Sequence, residues 1–370
     1  MPIKFNPKYA VTNPWAFALL RLEGAKERIN GLPITPAVLA RLRETARLAS
    51  THYSTQIEGN RLSEAEVKQV LAKNRRFPGR ARDEKEIKGY YSGLTEIEQS
   101  AKRKEPPTEM QIQRIHGLVM GGGKTNIKPT PYRDGQNVIK DGQSGRIVYM
   151  PPEAKDVPPL MAALVEWLNA AAEEIPCPLR AAIVHYQFAT VHPYDDGNGR
   201  TARLLTNLIL HRGGYGLKGI YSLEEYYARD LQAYYDAIAV GPLHNYYAGR
   251  EKADITGWLE YFAGGMADAF AHVEQQAEKA AGLGEADKSP ILRTLDPRQR
   301  KALTLFAGQR AITSRDLARL FSFAPRTARV LLQKWTRQGF LKIIDPSKKA
   351  RKYELADEFE KIFEAGNEKT

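Results

Sequence analysis

From Thr35 the chain reads "TPAVLARLRETARLAS", and Val38, Leu39, Leu42, Ala46 and Leu48 fall close to helical spacing. Thr35 is placed to cap this helix, with Pro36 at the first position, where a missing N–H loses nothing. "SEAE" at 63–66 has the spacing of a capping box, which opens a second helix. "PTEMQIQRIHGLVMGGG" offers a Thr108 cap, a helical run and a triple-glycine stop. One segment breaks the helical pattern. "YRDGQNVIKDGQSGRIVYMPP" has two short β-prone runs around "KDGQSG", ended by Pro151-Pro152, and predicts a hairpin. Helical patterns resume from about 156 to 280, and the small, polar "AGLGEADKSP" at 281–290 reads as a linker. Beyond it lie three short helical patterns, "RQRKALTLFAG", "TSRDLARLF" and "APRTARVLLQKWTRQG". "FLKIIDPSKKARKYEL" then reads as strand, basic turn and strand, which completes a winged helix-turn-helix pattern.

Composition narrows the class. The 370 residues, 42% hydrophobic and 26% charged, are ordinary for a globular chain of two or three domains. The single cysteine, Cys177, excludes a disulfide framework and a thiolate metal cluster, and fits a reducing, cytoplasmic setting. "MPIKFNPKYAVTNPW" lacks a long apolar core, so no signal peptide is expected. No run approaches the ~18 apolar residues that a membrane span needs. Charge is uneven. Residues 288–352 hold 17 Lys/Arg and 3 Asp/Glu, a net +14 against +12 for the whole chain. A polyanion partner is therefore expected at the C-terminal segment alone.

The densest chemistry lies in "HPYDDGNGR", residues 192–200, between two helical patterns. A helix start presents unpaired N–H groups and partial positive charge, and so attracts anions. Gly197 and Gly199 let the backbone curl into an anion nest. Arg200 and Arg203 share a helical face at an end where cations are normally disfavoured by ~0.3–1 kcal/mol, so an anion is expected there. Asp196 beside such a cradle makes sense if a hard cation such as Mg²⁺ joins carboxylate to phosphate. A neutral His192 can take a proton from a hydroxyl. Base, metal carboxylate, anion nest and cations together describe transfer of a phosphorus-bearing group.

"HPYDDGNGRTAR" resembles the signature of the Fic family, His-Pro-Phe-x-(Asp/Glu)-Gly-Asn-Gly-Arg-x-x-Arg, with Tyr194 in place of Phe. That substitution keeps the ring but adds a hydroxyl in need of a partner. The resemblance implies an all-α catalytic core with a small β-hairpin flap, which transfers AMP from ATP to a hydroxyl of a target protein. It implies His192 as the base, Asp196 as the Mg²⁺ ligand, and Gly197, Asn198 and Gly199 as the phosphate cradle, assisted by Arg200 and Arg203. It places the flap at Arg146, Ile147, Val148 and Tyr149, where a free edge would register the target by strand addition. "AYYDAI" is similar to the segment beside the adenine and points to Tyr234 and Tyr235. "STQIEGN" at 54–60 looks like the family's inhibitory motif, with Ser54 and Glu58 four apart. The resemblance aims Glu58 at Arg203, a pairing that would take a cation away from the γ-phosphate, in the subclass with an upstream inhibitory helix.

These readings divide the chain into a helical region (1–105), a catalytic core (106–280), the linker and a winged-helix domain (291–370). Plainer roles stand beside them. His185 reads as a satisfied core histidine, Asp195 as a solvated loop residue, and Tyr234 and Tyr235 equally well as core aromatics. For the basic domain, Arg326, Arg329, Lys348 and Lys349 suggest DNA, the plain alternative being a protein contact. A homodimer is left open, and no membrane partner is expected. The competing functions are removal of AMP or transfer of another phosphorus group by the same site, and an ATP-sensing DNA-binding regulator without turnover.

Overall fold

The computed structural model describes residues 3–32, 34–103, 105–124, 126–140, 144–171, 174–241, 244–282, 295–306, 309–345, 347, 351–357 and 359–360. They fall into two compact units, one within Met1–Gly31 and Leu42–Gln276, the other within Leu32–Arg41 and Ala277–Thr370. Among the described residues the fold is helical apart from two small antiparallel sheets. No described helix is long and apolar enough to cross a membrane.

The chain runs through α1 (Asn13–Gly31), α2 (Pro36–Ile57), α3 (Glu64–Lys73), α4 (Ala81–Ser100) and α5 (Glu109–Gly121). Then come strands β1 (Ile139–Lys140) and β2 (Ile147–Tyr149), followed by α6 (Val157–Ala170), α7 (Cys177–Val191) and α8 (Asn198–Arg212). Next are α9 (Leu223–Arg229), α10 (Leu231–Ile238) and α11 (Thr256–Gly282). The local signals act as their chemistry demands. Ser63 and Glu66 form the capping box of α3, and Thr108 Oγ1 accepts from the Gln111 N–H at the start of α5. Gly122 ends α5 in the left-handed region, at φ 63°. β1 and β2 pair as the expected hairpin, whose turn residues 141–143 lie outside the described residues. The long helical stretch after 156 is interrupted by the segments between α8 and α9 and between α10 and α11. α11 runs to Gly282, two residues into the expected linker, and 283–290 lie outside the described residues.

α7 is the centre of the first unit. Almost every position on it is buried, which fits a helix apolar all round. Its one histidine, His185, is satisfied within the core by Thr206 Oγ1 and Tyr234 Oη, each at 3.0 Å. Burial lowers its pKa to about 3, so it stays neutral. Trp258 of α11 donates Nε1 to the Ala182 carbonyl at 2.8 Å. α4 approaches its neighbours closely. A Cβ on Gly89 would overlap the Val119 carbonyl of α5, and one on Gly93 would overlap Leu204 of α8.

A buried carboxylate ties these helices together. Glu224 of α9, 1% exposed, accepts from Ser50 of α2 (2.8 Å), Tyr90 of α4 (2.8 Å), Asn207 of α8 (2.7 Å) and its neighbour Ser222 (3.0 Å). Four donors replace the water that a buried carboxylate loses. The second unit has its own core around Trp335. It contains α12 (Pro297–Phe306), α13 (Ser314–Phe321), α14 (Pro325–Arg337), β3 (Leu341–Asp345) and β4 (Lys352–Leu355). β3 and β4 pair antiparallel, with Leu341 opposite Leu355 and Ile343 opposite Tyr353.

Gly89→Ala tests the α4–α5 approach. Alanine favours a helix by about 1 kcal/mol over glycine, but overpacking against a backbone carbonyl costs about 1–3 kcal/mol. The steric effect wins because backbone cannot step aside, so the denaturation midpoint of the first unit should fall rather than rise.

Candidate functional site

The loop between α7 and α8 is held by a change of backbone hand. His192 ends α7 in the left-handed region at φ 51°, and Gly197 precedes α8 at φ 79°. The first value is uncommon for a side-chain-bearing residue and marks a tightly specified position. Asn198 closes the loop on itself: its Oδ1 accepts from the Tyr194 N–H (3.0 Å) and its Nδ2 donates to the Tyr194 carbonyl (2.7 Å). Its side chain is thus committed to loop geometry, and only its backbone is offered to a ligand. Among the described residues no side chain caps the start of α8. Its first N–H groups therefore stay open, as an anion seat requires.

Both signature arginines are buried, each with a side chain 1% exposed. Arg200 donates to Asp196 Oδ1 at 3.0 Å and lies 3.6 Å from Glu86 of α4. Arg203 turns toward α2, where its Nε donates to Ser54 Oγ (2.7 Å) and its Nη2 to the Ser54 carbonyl (2.9 Å) and Glu58 Oε1 (2.8 Å). Burial works against the Arg203 charge, but Glu58 more than compensates and raises its pKa. The Glu58 carboxylate also lies over Gly199, where a Cβ would overlap it. The seat at the head of α8 thus already holds a carboxylate. Asn60, two residues on, donates to the Asp83 carbonyl and to Glu86 Oε2, both at 3.0 Å, and fixes the end of the motif to α4.

His192 Nδ1 lies 3.3 Å from the Ala189 carbonyl, which assigns the proton to Nδ1 and leaves Nε2 as the acceptor. Burial pushes its pKa down to about 4, so the ring is neutral near pH 7. Asp196 is half-exposed. Partial burial opposes its charge, but Arg200 and the Gly197 N–H hold its pKa below the usual carboxylate range. Both bonds use Oδ1, and Asp195 beside it is exposed, as a solvated loop residue should be.

Of the other expected residues, Tyr234 and Tyr235 border Arg203 and Glu58. Tyr234 is buried, stacked on Tyr227 at 4.7 Å and bonded to His185. Tyr235 is 43% exposed and donates to the Ile57 carbonyl at 3.3 Å, one residue before Glu58. Of the flap, Arg146, Ile147 and Val148 are exposed, whereas Tyr149 is buried and donates to the Thr190 carbonyl of α7 at 2.8 Å. Just beyond β2, the Met150 N–H donates to the His244 carbonyl (2.8 Å) and the Tyr246 N–H donates to the Met150 carbonyl (3.0 Å).

Two residues without a sequence signal support the loop. His116 of α5 stacks on Tyr194 (3.6 Å between ring centres), and its Nε2 lies 2.8 Å from the Asp196 carbonyl. The Tyr194 hydroxyl itself has no hydrogen-bond partner among the described residues. Arg133, 5% exposed, donates to three backbone carbonyls: His192 (3.0 Å), Gly135 (2.9 Å) and Pro152 (2.5 Å). It joins the base of the flap to the residue that carries the imidazole. Arg133→Ala strands those carbonyls and should destabilise the first unit by roughly 2–3 kcal/mol, measured by denaturant unfolding. Lys at this position recovers only part, because one ammonium cannot reproduce a planar fork.

Residues 106–210 match the Fic/DOC family. The protein adenylyltransferase Fic of Culex quinquefasciatus is 31% identical over 53% of this chain and 38% of its own length. That of Drosophila grimshawi is 31% identical over 53% and 40%. The chain thus spans about 40% of the length of these curated relatives. Among solved structures, a Fic family protein from Desulfovibrio desulfuricans G20 aligns at TM-score 0.61 and 23% identity, over 95% of this chain and 99% of that one. A Fic-domain protein from Bacteroides thetaiotaomicron aligns at TM-score 0.59 and 24% identity, over 72% and 97%. These likenesses show the fold. The family match itself rests on residues 106–210, which contain the loop between α7 and α8.

Proposed function

We propose that this protein transfers AMP from ATP to a serine, threonine or tyrosine hydroxyl of a target protein, and that Glu58 restrains the transfer. The observation that carries this reading is the Glu58–Arg203 pair at 2.8 Å, set over Gly199 at the open head of α8. The adenylyltransferase relatives support the reaction class.

In this mechanism, polyphosphate oxygens lie against the N–H groups from Asn198 onward, with the buried charges of Arg200 and Arg203 beneath. His192 Nε2 removes the proton of the target hydroxyl as its oxygen bonds to the α-phosphorus and pyrophosphate leaves. Arg133 and His116 keep the imidazole and the seat in register, and the exposed Ile147–Val148 edge of the flap meets the target backbone. The residues fit Mg²⁺. Among the described residues no cluster of three His, Cys, Asp or Glu could hold a metal by itself. One half-exposed carboxylate, Asp196, with Oδ2 left over, suits an ion completed by phosphate and water. Such an ion would neutralise charge on the phosphates.

Glu58 competes for the cation that a γ-phosphate needs. Releasing a charge-assisted bond worth about 1.5–3 kcal/mol corresponds to roughly 10- to 100-fold in anion affinity. Glu58→Gly should therefore raise transfer from α-labelled ATP by at least tenfold, and His192→Ala in that background should abolish it. Equal labelling of the two variants would remove these roles. Label from the γ position instead would mark phosphate transfer. Run with water as acceptor, the same site removes AMP; the Glu58 carboxylate, already inside the seat, would then orient that water. Loss of label from a pre-modified target in the unmutated protein alone would mark that direction.

The lowered His192 pKa sets the pH dependence. The neutral imidazole reacts, and its free-protein pKa is near 4 rather than 6.5. The kcat/KM of Glu58→Gly, which reports the free enzyme, should stay level from pH 8 through 6.5 and fall only toward pH 4.

A further inference from the structure

The second unit keeps its charges apart. Each acidic residue described between 295 and 360 is engaged away from α14. Asp296 accepts the Arg298 and Gln299 N–H groups, Asp316 forms the capping box of α13 with Thr313, and Asp345 accepts from the Ser347 N–H. Glu354, Asp357 and Glu360 gather around Arg310 and Lys342. On α14, by contrast, Arg326, Arg329, Lys334 and Arg337 are exposed and have no acidic partner among the described residues. The opposite face supplies Ala328, Leu332 and Trp335 to the core, which fixes the orientation of the helix.

We infer that α14 is a duplex-DNA reading helix. Its exposed face follows Arg326, Val330, Gln333 and Arg337 at helical spacing, with Arg329 beside it. α14 follows α13 after Ser322, Phe323 and Ala324, the short turn of a helix-turn-helix. A helix about 10–12 Å across fits a major groove about 12 Å wide. The side chains divide by chemistry. Arg326, Arg329 and Gln333 carry the donors that bind purine edges, and Val330, 59% exposed, suits a thymine methyl. Lys334 and Arg337, in the last turn, meet phosphates. An acidic protein segment would satisfy the charge but gives no reason for an exposed valine amid arginines. Lys348 and Lys349, the expected wing cations, lie outside the described residues and are not needed here.

The test uses the full chain and fluorescence anisotropy on random-sequence duplex DNA. Two phosphate-neutralising cations, Lys334 and Arg337, give a log–log salt slope near −1.8, so binding should weaken roughly tenfold between 50 and 200 mM salt. Lys334→Ala should reduce that slope by about one. Selection from a random library should enrich a sequence, and Arg326→Ala should shrink the preference for it by about tenfold or more. Arg310→Gln, within the acidic cluster, and His192→Ala should leave binding unchanged. The inference fails if the protein does not bind DNA at 50 mM salt. It fails also if a Glu triple at Arg326, Arg329 and Lys334 binds as well as the parent, if Arg310→Gln loses as much, or if polyglutamate competes as effectively as DNA.

Discussion

Two guanidinium groups, Arg200 and Arg203, are buried in the opening turns of α8, the end where helix polarity opposes them. A buried cation without a partner is among the costliest features a core can carry. Carboxylates from three separate segments answer it: Glu58 at the end of α2, Glu86 in α4 and Asp196 in the loop itself. The early helices therefore help to complete the site. A ligand anion entering here would meet charges that are already compensated, and its affinity would depend on the carboxylate it displaced.

The parts of this site written in neighbouring residues were readable from the sequence. The caps Ser63 and Thr108, the hairpin, and the glycines around Asn198 are all local patterns. The Glu58–Arg203 pair was reached only through resemblance, since the two residues are far apart in the chain. Residues without such help stayed hidden. His116 is one histidine in an ordinary helix, and Arg133 one arginine in a loop, until folding brings them to Asp196 and His192. The side-chain amide of Asn198 is spent on Tyr194, which leaves only its backbone for the expected phosphate cradle, a division that no local pattern reveals. The hydroxyl of Tyr194 was expected to need a partner, and none is found among the described residues.

In the basic segment, composition told the net charge but not which cations are available. Arg310 and Lys342 belong to the same excess and are neutralised by Glu354, Asp357 and Glu360, residues just before and after the end of β4. That distinction depends on which side chains meet, and no count of residues supplies it.

The Glu224 junction bears on how any restraint by Glu58 is lifted. α2 is anchored to it through Ser50, one turn before Ser54, and the same carboxylate holds Tyr90 and Asn207. Swinging the whole segment outward would take the Ser50 donor from Glu224 and leave that buried carboxylate with three of its four partners. Relief is cheaper by rotating the terminal torsions of one glutamate, or by fraying the final turn before Gly59. Under the proposed restraint, the safety catch would be confined to a few atoms at the tip of an anchored helix, and a signal that trips it would have to arrive there.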